Sequence, residues 1–138
     1  MSPAPFTNDN APLLLFVDDD EPWSVLVRRN FLKLAPTWTF DHALDGRAAL
    51  ERIQATPPAL IITDIQMPGM DGIQLLENLR SLPRTFPVVV MSNNANPNVR
   101  LRCTGLGIES FLDKPVTSEA LRDSLQYVLD LTANFHRR

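Results

Sequence analysis

Residues 60–72 read Leu60-Ile61-Ile62-Thr63-Asp64-Ile65-Gln66-Met67-Pro68-Gly69-Met70-Asp71-Gly72, and this stretch decides the fold. It opens on a short apolar run of the kind that forms a strand buried on both faces of a parallel sheet. It closes on Met-Pro-Gly-Met-Asp-Gly, which neither continues a strand nor starts a helix cleanly. Asp64 is therefore predicted where a buried strand meets a loop, the edge at which parallel sheets build sites. Alone, such an aspartate is most often only a polar strand end.

Apolar strands and amphipathic helices alternate on both sides of this stretch. The predicted strands are 13–17, 38–43, 60–63, 88–91 and 108–112, and the predicted helices are 22–34, 47–54, 72–82, 99–104 and one after Thr117. The stripe of the first helix that should face the sheet holds Trp23, Leu26, Val27, Phe31 and Leu34. This alternation predicts an α/β fold with a doubly wound, five-stranded parallel sheet.

Size and composition are those of an ordinary globular domain. The chain has 138 residues, of which 44% are apolar and 21% are charged, as in a typical single domain. We expect residues 13–131 to form that domain, 1–12 a flexible arm, and 132–138 the end of the last helix or a tail. A net charge of −3 and a pI near 5.3 argue against direct contact with nucleic acid, which favours basic proteins.

The cysteine and histidine content and the hydropathy of the chain bear on metal binding and on cellular location. Cys103 is the one cysteine, so no internal disulfide can form, which fits a reducing cytoplasm. His42 and His136 are far apart in sequence, so zinc and iron–sulfur sites are not expected, and all three residues are interpreted as ordinary fold or surface positions. No apolar run reaches the ~20 residues of a membrane span and no signal peptide is visible, so we expect a cytoplasmic protein without membrane contact.

Polar side chains stand at the carboxyl ends of four predicted strands. Asp18 and Asp19 follow the first strand, Asp64 the third, Ser92 the fourth and Lys114 the fifth, and these ends converge on one crevice. Clustered carboxylates repel one another and are costly to bury without a counter-charge. Mg²⁺ solves this, since it prefers carboxylates, a carbonyl and waters. A cation, a carboxylate, a hydroxyl and an ammonium together can stabilise a transferring phosphoryl group.

The chain resembles the receiver domain of two-component response regulators, of the single-domain chemotaxis-regulator-like type, in four motifs. They are Val17-Asp18-Asp19, the loop from Asp64 ending Met-Pro-Gly-Met-Asp-Gly, Ser92, and Lys114-Pro115. Aspartate pairs and Lys-Pro alone are weak signals, but the full set in this order is specific. The resemblance covers residues 13–131 and implies a flavodoxin-like (β/α)5 fold with strand order 2-1-3-4-5.

The resemblance implies a phosphorylation site that depends on Mg²⁺. Asp64 resembles the phospho-acceptor, which attacks a phosphohistidine of a sensor histidine kinase or phosphotransfer protein. Asp18 and Asp19 resemble the acidic pair that binds Mg²⁺, with Asp64 and the backbone carbonyl of Gln66 as further ligands. Lys114 resembles the lysine that pairs with the phosphoryl oxygens.

The resemblance also implies a conformational switch. Ser92 matches the hydroxyl that bonds the phosphoryl group, Phe111 stands where the family has its switch aromatic, and the Lys114–Pro115 bond is expected to be cis. Movement of Ser92 and Phe111 would change the surface made by the fourth helix, the fifth strand and the fifth helix. Output would pass to a downstream protein, so the chain is predicted to be a signalling domain and not a conventional enzyme.

Several positions leave the match open to alternatives. The acidic pair could be shifted by one residue to Asp19-Asp20, but the earlier pair is preferred because it turns the apolar stripe of the first helix toward the sheet. Asn93 stands where the family usually has a small residue, and it would either crowd the site or add a donor. Gln66 and Asn94 occupy positions that, in the family, tune how fast water removes the phosphoryl group. The sequence does not show whether they speed or slow that reaction here.

Two helix faces are candidates for partner contacts. A face of the first helix apart from its buried stripe holds Val25, Arg29 and Leu32, an apolar ridge edged with arginine that suits a helical partner, although it could be merely solvated. A second apolar line on the last helix holds Tyr127, Leu131 and Phe135. A downstream protein or a second copy in a homodimer would cover this line, unless the helix is simply more buried than its pattern indicates.

Other functions fit parts of the pattern. A degenerate receiver would keep the fold and act as an unphosphorylated interaction domain, and Asn93 keeps this alternative open. A metal-dependent phosphatase with an aspartate nucleophile would need a general acid two residues after Asp64, where Gln66 stands. A nucleotide-binding domain would need a glycine-rich loop after the first strand, where aspartates stand instead.

Overall fold

A computed structural model describes residues 10–67, 69, 71–83, 85–93 and 96–137, along which five strands alternate with five helices. The strands are β1 (Leu13–Val17), β2 (Thr39–Ala43), β3 (Leu60–Thr63), β4 (Val88–Ser92) and β5 (Ser110–Asp113). The helices are α1 (Glu21–Leu34), α2 (Gly46–Ala55), α3 (Gly72–Arg80), α4 (Pro97–Gly105) and α5 (Ser118–His136). Most of the predicted arm lies outside the described residues, as do Asn94 and two residues of the loop after Asp64.

The strands form one parallel sheet in the order β2-β1-β3-β4-β5, which confirms the predicted doubly wound, flavodoxin-like α/β fold. Val17 at the end of β1 lies beside Ala43 of β2 and Thr63 of β3. Thr63 lies in turn beside Val90 of β4. Because the strands run in the same direction and end nearly level, the residues that follow them emerge at one edge of the sheet.

Helices cover both faces of the sheet, as the alternation predicts. On one face, α1 and α5 pack against a cluster whose fully buried members include Phe16, Phe31 and Leu125. On the other face, α2, α3 and α4 pack through residues such as Leu76 and Cys103. β3 and β4 are buried along their whole length between these layers, which explains their uninterrupted apolar sequences.

The predicted elements differ from the structure mainly at their ends. α4 is longer than predicted because Asn96 caps it, its side chain accepting the N–H of Val99 at 2.9 Å. Pro97 then fills the first helical turn, where its missing N–H costs nothing. β2 and β5 begin later than predicted, and α3 ends earlier.

The buried stripe of α1 is placed differently from the prediction. Val27 and Phe31 are fully buried, but Leu26 is 37% exposed, so its assignment to the stripe was wrong. Successive residues are rotated by about 100° around a helix. The buried stripe is centred between Val27 and Phe31, so Leu26 lies outside the edge of the stripe. Ser24 is buried on the opposite edge, where it meets the end of β2.

The start of α3 lies against the end of β3 at a glycine. The N–H of Gly72 donates to the carbonyl of Ile65 at 3.1 Å. A Cβ built on Gly72 would overlap the carbonyl oxygen of Asp64 and the Cα of Ile65. Only glycine therefore allows α3 to begin this close to the strand end that carries Asp64.

We expect Gly72→Ala to lower the free energy of unfolding by about 2–3 kcal/mol, because an added methyl group would push α3 away from the backbone of Asp64. Gly105→Ala is the matched control, since a Cβ there meets nothing within 4 Å, and alanine is the better helix former by about 0.5–1 kcal/mol. Urea unfolding of both variants measures the difference. Equal stability of the two variants would contradict this account of Gly72.

Candidate functional site

Four of the predicted site residues meet at the carboxyl edge of the sheet. Asp18, Asp64 and Ser92 are buried at the ends of β1, β3 and β4, and Lys114 follows β5. The ammonium of Lys114 lies 2.9 Å from Asp18 Oδ2 and 3.0 Å from Asp64 Oδ2. The residues that the chain separates by almost a hundred positions are thus joined into one polar cluster.

The carboxylate of Asp64 is held by donors on both of its oxygens. Its Oδ1 accepts the backbone N–H groups of Ile65 at 2.7 Å and of Gln66 at 3.2 Å, and the hydroxyl of Ser92 at 2.9 Å. Its Oδ2 accepts Lys114. The side chain is fixed in orientation, yet the residue remains 7% exposed at the surface of the crevice. The carboxylate is therefore both fixed in orientation and accessible from the crevice.

Lys114 supplies the positive charge of the cluster. Burial lowers the pKa of Lys114, but hydrogen bonds and charge from Asp18 and Asp64 raise it by more, so the net pKa lies above that of an ordinary lysine. The ammonium therefore stays charged at neutral pH, with its side chain only 14% exposed. A charged, immobilised ammonium beside a carboxylate can neutralise further anionic oxygens brought to the same place.

Asp18 is the most buried carboxylate of the group. Burial raises the pKa of Asp18 above its usual range, against the lowering effect of Lys114 and of the Asp20 N–H. Its Oδ1 accepts that N–H at 2.9 Å. Oδ2 is buried and, apart from its ion pair with Lys114, accepts no hydrogen bond from any residue that the structure describes. An oxygen in this condition is suited to a cation or to its bound water.

The acidic residues are close enough to share a cation. Ligand oxygens of Asp18, Asp19 and Asp64 lie within 4.8 Å of one another, with Asp19 exposed to solvent. Three carboxylates and an accessible face fit Mg²⁺, which keeps several of its waters. Asp20 does not join them, because its side chain caps α1 by accepting the N–H of Trp23 at 3.0 Å, so the geometry favours the earlier pair.

Lys114 reaches both carboxylates without the expected cis bond. The described residues contain no cis peptide bond, so Lys114–Pro115 is trans and that prediction was wrong. An X–Pro bond prefers trans unless the surroundings select cis, and the lysine here is already placed by its two carboxylates.

A family model described as the response regulator receiver domain matches residues 14–126, which is most of the chain. The chain belongs to the response regulator receiver family. Its structure is similar to that of the chemotaxis protein CheY4 of Vibrio cholerae, with a TM-score of 0.74 and 27% identity over 86% of this chain and 98% of that one. Family and fold therefore agree with the resemblance drawn from the motifs.

Receiver domains related to this one occur in proteins of different kinds. The chain is 34% identical, over 96% of its length, to a protein-glutamate methylesterase/protein-glutamine glutaminase of Treponema pallidum, of which it covers 33%. It is 33% identical over 86% of its length to the sensor histidine kinase RcsC of Salmonella typhi, of which it covers 12%. The chain thus spans a third or less of these curated relatives, and the match concerns the receiver part alone.

The predicted switch aromatic of the receiver domain has a partner that its sequence position did not indicate. Phe111 is half-buried, and the guanidinium carbon of Arg100 lies 4.6 Å from the centre of its ring. The same guanidinium donates to the carbonyl of Phe111 at 3.2 Å. This contact ties α4 to β5 beside the site.

The two candidate docking faces differ in exposure from what their spacing suggests. On α1, Val25 is 56% exposed and Arg29 is exposed, but Leu32 packs partly against the core. On α5, Tyr127 is 49% exposed, whereas Leu131 packs against the core, so the alternative of a more buried helix holds there. Phe135 is half-buried, with its ring edge-on to that of His136.

Two polar side chains near the site were missed by the sequence reasoning. Arg100 could have been suspected from its spacing in a helix beside β5, but its partner on another element could not. His42 was interpreted as an ordinary residue, yet its Nε2 lies 2.6 Å from the backbone carbonyl of Asp18. No local pattern marks a histidine in an edge strand as a contact of a loop 24 residues earlier.

We expect Lys114→Met to lower the free energy of unfolding in the absence of Mg²⁺ by about 2–3 kcal/mol, because it leaves two close carboxylates with no counter-charge. Arg102→Met is the control, since the pair that Arg102 forms with Glu77 at 3.7 Å is at least half exposed and should contribute less than about 1 kcal/mol. Urea unfolding at neutral pH tests both. A Lys114→Met variant as stable as the parent would show that the ion pairs of Lys114 with Asp18 and Asp64 do not stabilise the fold.

Proposed function

We propose that this receiver domain accepts a phosphoryl group on Asp64 from a phosphohistidine of a sensor histidine kinase or phosphotransfer protein. The observation that carries the proposal is the shared lysine: Lys114 contacts Asp64 and Asp18 at once, while Ser92 donates to the other oxygen of Asp64. A structural ion pair would not need the hydroxyl or the third carboxylate, Asp19, at the open side. Family membership supports the same function.

The chemistry follows from the placement of these groups. A carboxylate oxygen of Asp64 forms a bond to phosphorus as the phosphorus–nitrogen bond breaks, and the imidazole of the donor leaves with the electron pair. Lys114 and the Ser92 hydroxyl are in place to turn from the carboxylate to the incoming phosphoryl oxygens. Mg²⁺, held by Asp18, Asp19, Asp64 and the carbonyl of Gln66, would supply further positive charge for those oxygens.

The alternatives retain less support. A degenerate receiver would be expected to lack part of the cluster, whereas Lys114 contacts both Asp18 and Asp64, and Ser92 donates to Asp64. The side chain of Asn93 is exposed to solvent. A phosphatase would need a general acid near Asp64, and the exposed Gln66 has no acidic proton to give. The domain is accordingly proposed as a phospho-acceptor that has no outside substrate of its own.

Asp64→Asn should abolish labelling by a small phosphodonor, which we expect to add one phosphoryl group to the parent only when Mg²⁺ is present. Asp113→Asn is the matched control, because this carboxylate is next to Lys114 in the sequence and is exposed to solvent. Intact mass before and after incubation gives the result. Labelling of Asp64→Asn at the parental rate, or loss of labelling in Asp113→Asn, would contradict the assignment.

We also propose that Phe111 transmits the state of Asp64 to the surface of α4, β5 and α5. When the Ser92 hydroxyl moves to a phosphoryl oxygen, the space beside it would admit the aromatic ring. The ring must then leave the guanidinium of Arg100, a contact worth about 0.5–1 kcal/mol at an exposed site. Arg100 would thus favour the position that the ring occupies in the unphosphorylated domain.

Arg100→Gln should raise the apparent affinity for beryllofluoride, a phosphoryl mimic, about two- to fivefold, since it removes the cation but keeps a donor for the Phe111 carbonyl. Arg102→Gln is the control, an α4 arginine that pairs with Glu77 and does not reach Phe111. Titration in the presence of Mg²⁺ measures both affinities. An unchanged beryllofluoride affinity in Arg100→Gln, or an equal change in both variants, would show that the Arg100–Phe111 contact does not hold back the switch.

The partner surfaces follow from the exposed parts of the two candidate faces. We propose the kinase or phosphotransfer protein at Val25 and Arg29, with Leu32 at the margin, and a downstream protein or second copy at Tyr127 and its surroundings. Within the described part of the chain, no helix combines the length and apolar character needed to span a membrane. The cytoplasmic location stays a prediction.

A further inference from the structure

His42 lies between the edge strand β2 and the turn that carries the acidic pair. Its Nε2 is 2.6 Å from the backbone carbonyl of Asp18 and 2.8 Å from the hydroxyl oxygen of Ser24. The Ser24 hydroxyl in turn donates to the backbone carbonyl of Asp20 at 2.9 Å. One ring nitrogen therefore connects to both ends of the Asp18–Asp20 turn, directly at one end and through Ser24 at the other.

The partners determine which way these hydrogen bonds run. A backbone carbonyl can only accept, so Nε2 carries the proton that it donates to Asp18. The Ser24 hydroxyl has one proton, which goes to Asp20, and its oxygen therefore accepts from the same Nε2–H. The imidazole has its proton on Nε2 and acts here as a donor.

The backbone of Asp18 is consequently held on both sides by β2. Its N–H donates to the carbonyl of Ala43 at 3.0 Å, and its carbonyl accepts from His42. His42 is itself anchored, because Arg52 Nη1 donates to its backbone carbonyl at 2.6 Å and its ring packs 6.2 Å from that of Phe16. The turn is therefore built on a rigid strand and not left to the loop alone.

This matters because the turn carries Asp18 and Asp19, whose carboxylates lie close to that of Asp64. Like charges at this distance push the turn to open when no cation is bound. A hydrogen bond that holds the backbone in the binding geometry prevents this opening before the cation binds. Loss of a residue that hydrogen-bonds to a metal ligand commonly weakens metal affinity by about 10–100-fold.

We propose that His42 is a positioning residue of the metal site, which fixes the Asp18–Asp20 turn through its Nε2–H without touching the metal or the phosphoryl group. The inference rests on the proposed Mg²⁺ site. It adds a residue from β2 that belongs to none of the motifs by which the site was predicted.

The test compares Mg²⁺ affinity, measured by calorimetry, across three variants. His42→Leu should bind Mg²⁺ about tenfold more weakly than the parent, whereas His42→Gln, which can place an amide donor where Nε2 stands, should recover most of that loss. Phe40→Leu is the packing control, because Phe40 lies on the same strand and contacts Phe16 at 5.9 Å but makes no bond to the turn. It should lose stability and keep its Mg²⁺ affinity.

Hydrogen exchange of the metal-free protein gives a readout independent of Mg²⁺. The amide of Asp20, which donates to Asp18 Oδ1, should exchange faster in His42→Leu than in the parent or in His42→Gln. In the parent, nitrogen NMR should show the proton on Nε2, which tests the direction of the two hydrogen bonds even if His42→Leu does not fold. A proton on Nδ1 alone would overturn the proposal.

Failure of this inference is distinguishable from failure of the proposed function. If the parent binds Mg²⁺ and His42→Leu binds it equally well, His42 has no positioning role and the phospho-acceptor site stands. Equal weakening in Phe40→Leu would likewise reduce His42 to a packing residue. If the parent itself does not bind Mg²⁺, the proposed metal site is wrong.

Discussion

The ammonium of Lys114 is the charge on which the carboxyl edge of the sheet depends. It lies within 3.0 Å of two carboxylates, one directly after β1 and one directly after β3. Without it, both would be buried at close range with like charge. One lysine against two aspartates still leaves the cluster net negative, with a third carboxylate at its open side. The same deficit that makes the site costly to the fold makes it attractive to a divalent cation.

The backbone around the cluster offsets part of the cost of burying these carboxylates, because nearby N–H groups donate to them. Two consecutive N–H groups point at Asp64 Oδ1, and Gly72 lets α3 start directly against that strand end. The Asp18 turn is closed by Asp20, which gives its N–H to Asp18 and its side chain to the first turn of α1. Each of these contacts serves folding and site geometry together, because the polar groups that the sheet must satisfy are those that orient the carboxylates.

In the proposed function, phosphorylation chemistry and signal output would meet at the end of β4 and along β5. Ser92 touches Asp64 on one side, and on the neighbouring strand Phe111 is covered from outside by Arg100. α4 contributes only one fully buried residue, Cys103, so it is held less firmly than the helices of the other face. A weakly anchored helix beside a strong polar site is a suitable element for two arrangements that differ by little free energy.

The amino-acid sequence alone determined the sheet and the meeting of Asp64, Ser92 and Lys114, because alternating apolar strands and helices force a parallel sheet, whose strand ends share one edge. Only the tertiary structure decided which aspartate caps α1, that Leu26 lies outside the core, that His42 contacts the Asp18 turn, and that Arg100 lies over the ring of Phe111. Periodicity records whether a residue is buried on its own element. It carries no information on the distance between side chains of different elements, and that distance determines these contacts.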